Sequence, residues 1–113
     1  MLQYGVLIIF SILLLIEGGF AKIHIIAGNV PAAGARVEWV EGPCGDRPDE
    51  ITIADENGNT KMYMDRGDKF CATAEWTDAL GRIYSGDMRI KEADEYKLIL
   101  QQQNIVTFIP IAR

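Results

Sequence analysis

The chain has a single histidine, two cysteines and, before position 22, no lysine or arginine at all. Each scarcity removes a class of function. One histidine and no Gly-x-Ser-x-Gly turn leave hydrolytic chemistry without its usual base and nucleophile. His24 alone, with no Cys-x-x-Cys pair, falls short of the ligand set that holds zinc. Lysine and arginine number 11 against 16 acidic residues, a net charge of −5. Nucleic-acid binding is driven by cationic side chains that release counterions from phosphate, so no nucleic-acid partner is expected. Internal repeats, low-complexity tracts and any 3.6-residue apolar period beyond the N-terminus are also missing. The expectation is a protein that is not an enzyme and uses no cofactor and no metal.

What is there begins with an apolar run over residues 5–16, GVLIIFSILLLI, broken only by Ser11. Twelve residues suit the core of a secretory signal, and Gly19-Phe20-Ala21 has the small-x-small form of a cleavage site. Counted from Met1 to Ala21, the segment reaches the roughly 20 residues of a membrane-spanning helix. Both readings stay open: residues 1–21 are a cleaved signal or a retained hydrophobic helix, and residues 22–113 are the folded domain. Either way the domain is expected outside the cytoplasm, at the cell surface, membrane-anchored or secreted.

Beyond Ala21 the signals are short strands punctuated by turn residues. Strands are expected over 22–27, 34–41, 50–54, 60–64, 69–76, 82–84, 88–90, 96–100 and 105–111, with one helical turn possible over 91–95. Residues 34–41 alternate, with Ala35, Val37 and Trp39 on one face and Arg36, Glu38 and Val40 on the other. Residues 69–76 do the same, grouping Phe70, Ala72, Ala74 and Trp76. A period of two is what a half-buried strand requires. Asp55-Glu56-Asn57-Gly58 between two such runs is a strong hairpin signal. Two cysteines in an exported domain favour a Cys44–Cys71 disulfide over two free thiols.

The order of features resembles a known family. A first strand is followed by Pro31-x-x-Gly34-Ala35-x-Val37, then by Ala54-Asp55-Glu56-Asn57-Gly58-Asn59. After these come Gly67-Asp68-Lys69-Phe70-x-Ala72-x-Ala74, Gly81-Arg82 and Tyr96-x-Leu98-x-Leu100. This is similar to the carboxypeptidase-regulatory-like, or transthyretin-like, modules and to the B-type repeats of surface adhesins. Thr60 stands where the family usually carries an aromatic residue. The resemblance implies an all-β, seven- to eight-stranded Ig-like (transthyretin-like) β-sandwich behind the hydrophobic N-terminal helix. It also implies use as a spacer, adhesion or assembly module. The adhesin likeness further implies an isopeptide bond from Lys22 to Asn104, assisted by a buried Glu75.

Other candidate sites have plainer readings. The oxygen-rich loop at 55–59 lacks the glycine placement of an EF-hand and is expected to be a turn. Arg66-Gly67-Asp68 spells an integrin-binding tripeptide but equally serves a β-turn. Trp39 and Trp76 are expected in the core; on an outer face with Tyr63 or Tyr84 they would form a stacking platform for carbohydrate. The function expected is a non-catalytic extracytoplasmic structural or assembly module. Membrane or subunit contacts would run through residues 5–16, and protein partners or self-assembly are expected. The alternative is a secreted module that binds carbohydrate or protein.

Overall fold

The computed structural model describes residues 18–103. They form eight strands: β1 (Gly19–Ala27), β2 (Val30–Pro31), β3 (Arg36–Glu41), β4 (Glu50–Ile53), β5 (Asn59–Met64), β6 (Phe70–Thr77), β7 (Ile83–Ile90) and β8 (Glu95–Gln102). No helix occurs among the described residues. The expected N-terminal helix and the strand over 105–111 lie outside them.

The strands make one curled, mixed sheet in the order β2-β1-β8-β7-β6-β3-β4, with β5 on β1. Every pairing is antiparallel except β1 with β8. Strands β7 and β8 pair in register only at Tyr84↔Gln102 and Ser85↔Gln101. The curl of the sheet turns the inner faces toward each other. Ile23 and Ile25 of β1, Met62 of β5 and Leu98 of β8 thus share one core with Trp39 of β3 and Ile90 of β7.

Alternation decides which side chains enter. In β3 and β6 the inward set is the expected one, and small residues stand opposite large ones: Trp39 pairs with Ala72, and Val37 with Ala74. Trp39 is fully buried. A buried indole N–H needs an acceptor, and Thr52 Oγ1 of β4 provides it at 2.8 Å. The same oxygen accepts a 2.8 Å bond from the Thr60 hydroxyl of β5. The Thr60 hydroxyl thereby helps fasten the two ends of the curl. On the opposite face of β3 and β6, the paired Val40 and Cys71 are also buried. The Cys44–Cys71 disulfide ties the β3–β4 connection to this spot, and Arg89 donates 2.6 Å to the Gly42 carbonyl. Closing that 27-residue separation stabilises by about 3–4 kcal/mol on the chain-entropy account.

Two turns share one design. Asp55 Oδ1 accepts from the N–H groups of Asn57 and Asn59, and Asp78 Oδ1 accepts from those of Leu80 and Arg82. Backbone bonds between the first and fifth residues close both. The Asp78 turn makes a true hairpin, since β6 pairs with β7. The Asp55 turn does not: β4 pairs with β3 while β5 pairs with β1, so the expected hairpin is a corner between distant parts of the sheet. Gly58 shows why. It is pressed against β1, its carbonyl accepting from the Ile25 N–H at 2.8 Å.

Three further boundaries differ from expectation. Strand β1 starts at Gly19 rather than residue 22. Strand β7 runs unbroken through Gly86, where a Cβ would lie 3.2 Å from Leu100 Cδ2; the glycine makes room for that leucine and does not end the strand. Residues 91–94 form a bend and no helical turn.

Gly58 and Gly81 have nearly equal positive φ, 80° and 83°. A Cβ at Gly58 would sit 2.5 Å from the Ile25 carbonyl oxygen, whereas at Gly81 it would meet nothing within 4 Å. Gly81→Ala should therefore cost about 1–2 kcal/mol for its left-handed backbone. Gly58→Ala should cost at least ~2 kcal/mol more from overpacking, read as a shift in urea midpoint. Equal losses would show that the β1 contact is not what fixes Gly58. Thr52→Val should cost about 1–3 kcal/mol by stranding the Trp39 N–H. In a Trp39→Phe background that cost should shrink, and an unchanged cost would dissociate Thr52 from the indole.

Candidate functional site

The outer face of β5, β1 and β8 gathers most of the chemistry that the core does not use. Outward along β1 stand Phe20, Lys22 and His24, alternating with buried Ala21, Ile23 and Ile25. The register sets Tyr63, Lys61 and Asn59 of β5 beside them in that order. On the other flank Glu95 lies beside Lys22, and Lys97 beside His24.

Phe20 and Tyr63 meet edge to face, their centroids 5.6 Å apart, although both are about half exposed. The Lys61 ammonium lies 4.7 Å above the Phe20 ring, within cation–π range. His24 donates from Nδ1 to Asn59 Oδ1 at 2.8 Å. The Tyr63 hydroxyl accepts from the Gly18 N–H at 3.2 Å. An open groove of about 680 Å³ adjoins the face, lined by Lys22, His24, Asn59, Lys61, Ile53 and Glu95 among others. Asp55 and Glu95 balance the charge of Lys22 and Lys61 within it.

The entry to β1 is tightly built. A Cβ on Gly18 would fall 2.1 Å from the Met64 carbonyl oxygen, and one on Gly19 would lie 3.1 Å from the Ala93 Cβ. Small residues here are required by packing against β5 and the β7–β8 bend. Sequence reading missed Phe20 and Lys61 because Gly19-Phe20-Ala21 resembles a cleavage site. Starting the period-two pattern three residues earlier would have found Phe20.

The other candidates are spread apart. Lys22 is exposed on β1, and Glu75 is exposed on β6, facing Arg36 and Ser85 across its neighbours. Strands β1 and β6 are not adjacent in the sheet, and Glu75 is exposed, whereas isopeptide chemistry needs its acid buried. Asn104 lies outside the described residues. Cys44 and Cys71 are bonded to each other, Cys71 buried and Cys44 exposed. The bond points to an oxidising, extracytoplasmic environment. Trp39 is inside the core and Tyr63 belongs to the Phe20 corner, so no platform of two tryptophans forms. Trp76 meets Tyr84 at a 48° tilt, centroids 5.6 Å apart, and donates to the Ala33 carbonyl at 2.8 Å. In Arg66-Gly67-Asp68, the Asp68 carboxylate accepts from the Asp65 N–H and closes the turn.

An acidic corner sits at the end of β3. Asp68, aided by desolvation and by Asp49 and Asp65, raises the Glu41 pKa above its ordinary value. Asp78 goes the other way: burial would raise it, but hydrogen bonds from Arg82 and the Leu80 N–H outweigh that and lower it. No family model matches the chain, and no characterised protein matches it in sequence.

A raised native pKa means that folded Glu41 holds its proton more tightly than the unfolded chain does. Its contribution is thus fully present below 4.5, the ordinary value, and is lost as pH rises through the native one. Glu41→Gln should be more stable than the parent at pH 7, with the gap closing at pH 4. A gap that stays constant in urea midpoints across that range would mean the repulsion is not felt.

Proposed function

We propose that the chain is a non-catalytic extracytoplasmic structural or assembly module, held by residues 5–16 at a membrane or within a multi-subunit surface assembly. In this reading the curled sheet is an Ig-like sandwich of the transthyretin type, presented outward from its anchor. The observation that carries it is the entry to β1. Gly19, Phe20 and Ala21 pair with Met64, Tyr63 and Met62, and Ala21 is fully buried. Cleavage after Ala21 would strip half of the β1–β5 pairing and remove a core residue. A strand built in this way is better suited to staying joined to the apolar run than to being released from it. The disulfide supports an exported location, and the charge balance supports a partner other than nucleic acid.

One observation favours a second reading, a secreted module that binds carbohydrate or protein. Trp76 and Tyr84 are in contact, tilted 48° to each other, and only partly buried, leaving ring surface open for a sugar.

The intact mass of the native protein, taken without reduction from separated membrane and soluble fractions, discriminates between them. The expected result is a membrane or assembly species that retains residues 1–21 and is lighter than the sequence mass only by the disulfide hydrogens. A soluble species beginning at Lys22 would overturn the anchored reading and turn attention to Trp76 and Tyr84. A further loss of one ammonia would establish an isopeptide bond.

A further inference from the structure

We propose that the corner formed by Phe20, Tyr63, Lys61 and Lys22 is an interfacial seat for anionic lipid headgroups, holding the outer face of β1 against the membrane. The inference rests on residues 5–16 being retained as an anchor, and goes beyond it by assigning the domain an orientation and a ligand.

Reach comes first. Phe20 is four residues beyond Ile16, so even a fully extended chain places it within about 14 Å of the end of the apolar run. An anchored chain has no slack to carry Phe20 away from the headgroup layer, and β1 is fixed to β5 from Gly19 onward.

The side chains at that distance have interfacial chemistry. Phe20 and Tyr63 remain 47% and 50% exposed, which is a cost in bulk water but the preferred setting of aromatic rings at a membrane boundary. The Lys61 ammonium lies over the Phe20 ring at 4.7 Å, so charge and aromatic face form one exposed patch that a phosphate oxygen can approach from the solvent side. Lys22 lies beside it in the register. Among the described residues, none of Lys22, Lys61 or Lys97 forms an ion pair.

Charge is also segregated by strand. Strands β1, β5 and β8 carry Lys22, Lys61 and Lys97 against Glu95, a net of +2. Strands β3, β4, β6 and β7 carry Arg36 and Arg89 against Glu38, Glu41, Glu50, Glu75 and Asp87, a net of −3. Near an anionic surface this asymmetry turns the lysine face inward and the acidic face outward, within a Debye length of about 10 Å.

The test places the full chain in nanodiscs of phosphatidylcholine alone or with phosphatidylglycerol added, and maps lysine labelling by an amine-reactive reagent. Lys22 and Lys61 should be labelled several-fold more slowly with phosphatidylglycerol present, relative to the exposed turn residues Lys69 and Lys91 of the same molecule. The protection should fade in high salt and in the exposed-site variant Phe20→Ser/Tyr63→Ser. Equal labelling in the two lipids, with the chain present in both kinds of disc, overturns the seat and leaves the anchor standing. Failure to enter either disc overturns the anchor, and the seat falls with it.

Discussion

A buried indole must find an acceptor for its N–H, and most of this architecture can be traced from how Trp39 does so. Its ring fills the centre of the core against small Ala72, and its nitrogen reaches Thr52 on the last strand of the sheet path. Thr52 in turn receives the hydroxyl of Thr60, on a strand bound to β1. A sheet joined at β7–β8 by only two residue pairs is thereby fastened again at its far ends. Apolar burial supplies the driving force for the curl, but it is non-directional. The two threonines give it a fixed geometry.

What could be read from the sequence depended on whether the cause was local. Alternation in β3 and β6 is a property of successive residues, so Val37, Trp39, Ala72 and Ala74 were legible as core. Turn chemistry at Asp55 and Asp68 was legible for the same reason. Strand partners were not. Nothing in Asp55-Glu56-Asn57-Gly58 says that β5 will leave β4 for β1, because that choice is made by the contact of Gly58 with Ile25. Gly86 looked like a break because a glycine's missing side chain carries no record of the leucine that occupies its space. The candidate site suffered most, since Gly18, Gly19 and Ala21 resemble a cleavage site in sequence while the two glycines also pack tightly under Met64 and Ala93.

The acidic corner and the lysine face are two aspects of one distribution. The negative charge of the chain is concentrated in loops and in the strands of the Trp39 half, where Glu41 is crowded by Asp68, Asp49 and Asp65. The lysines of β1, β5 and β8 have been left without intramolecular partners among the described residues. Surface ion pairs stabilise little in any case, so the folded state loses little by leaving them apart. The arrangement gives the domain a direction.

The parallel pairing of β1 with β8 also bears on how the chain acquires its structure. Lys22 aligns with Glu95, so the first of the described strands waits for the last of them before its second edge is covered. Until then β1, rich in isoleucine, has only β5 and the short β2 to pair with, and its other edge is open to any neighbouring chain. Such long-range closure is slow compared with hairpin formation, on the scale of milliseconds to seconds. Lys22 places a charge on the outer face of β1 beside that waiting edge, a guard against strand addition by other copies during the interval.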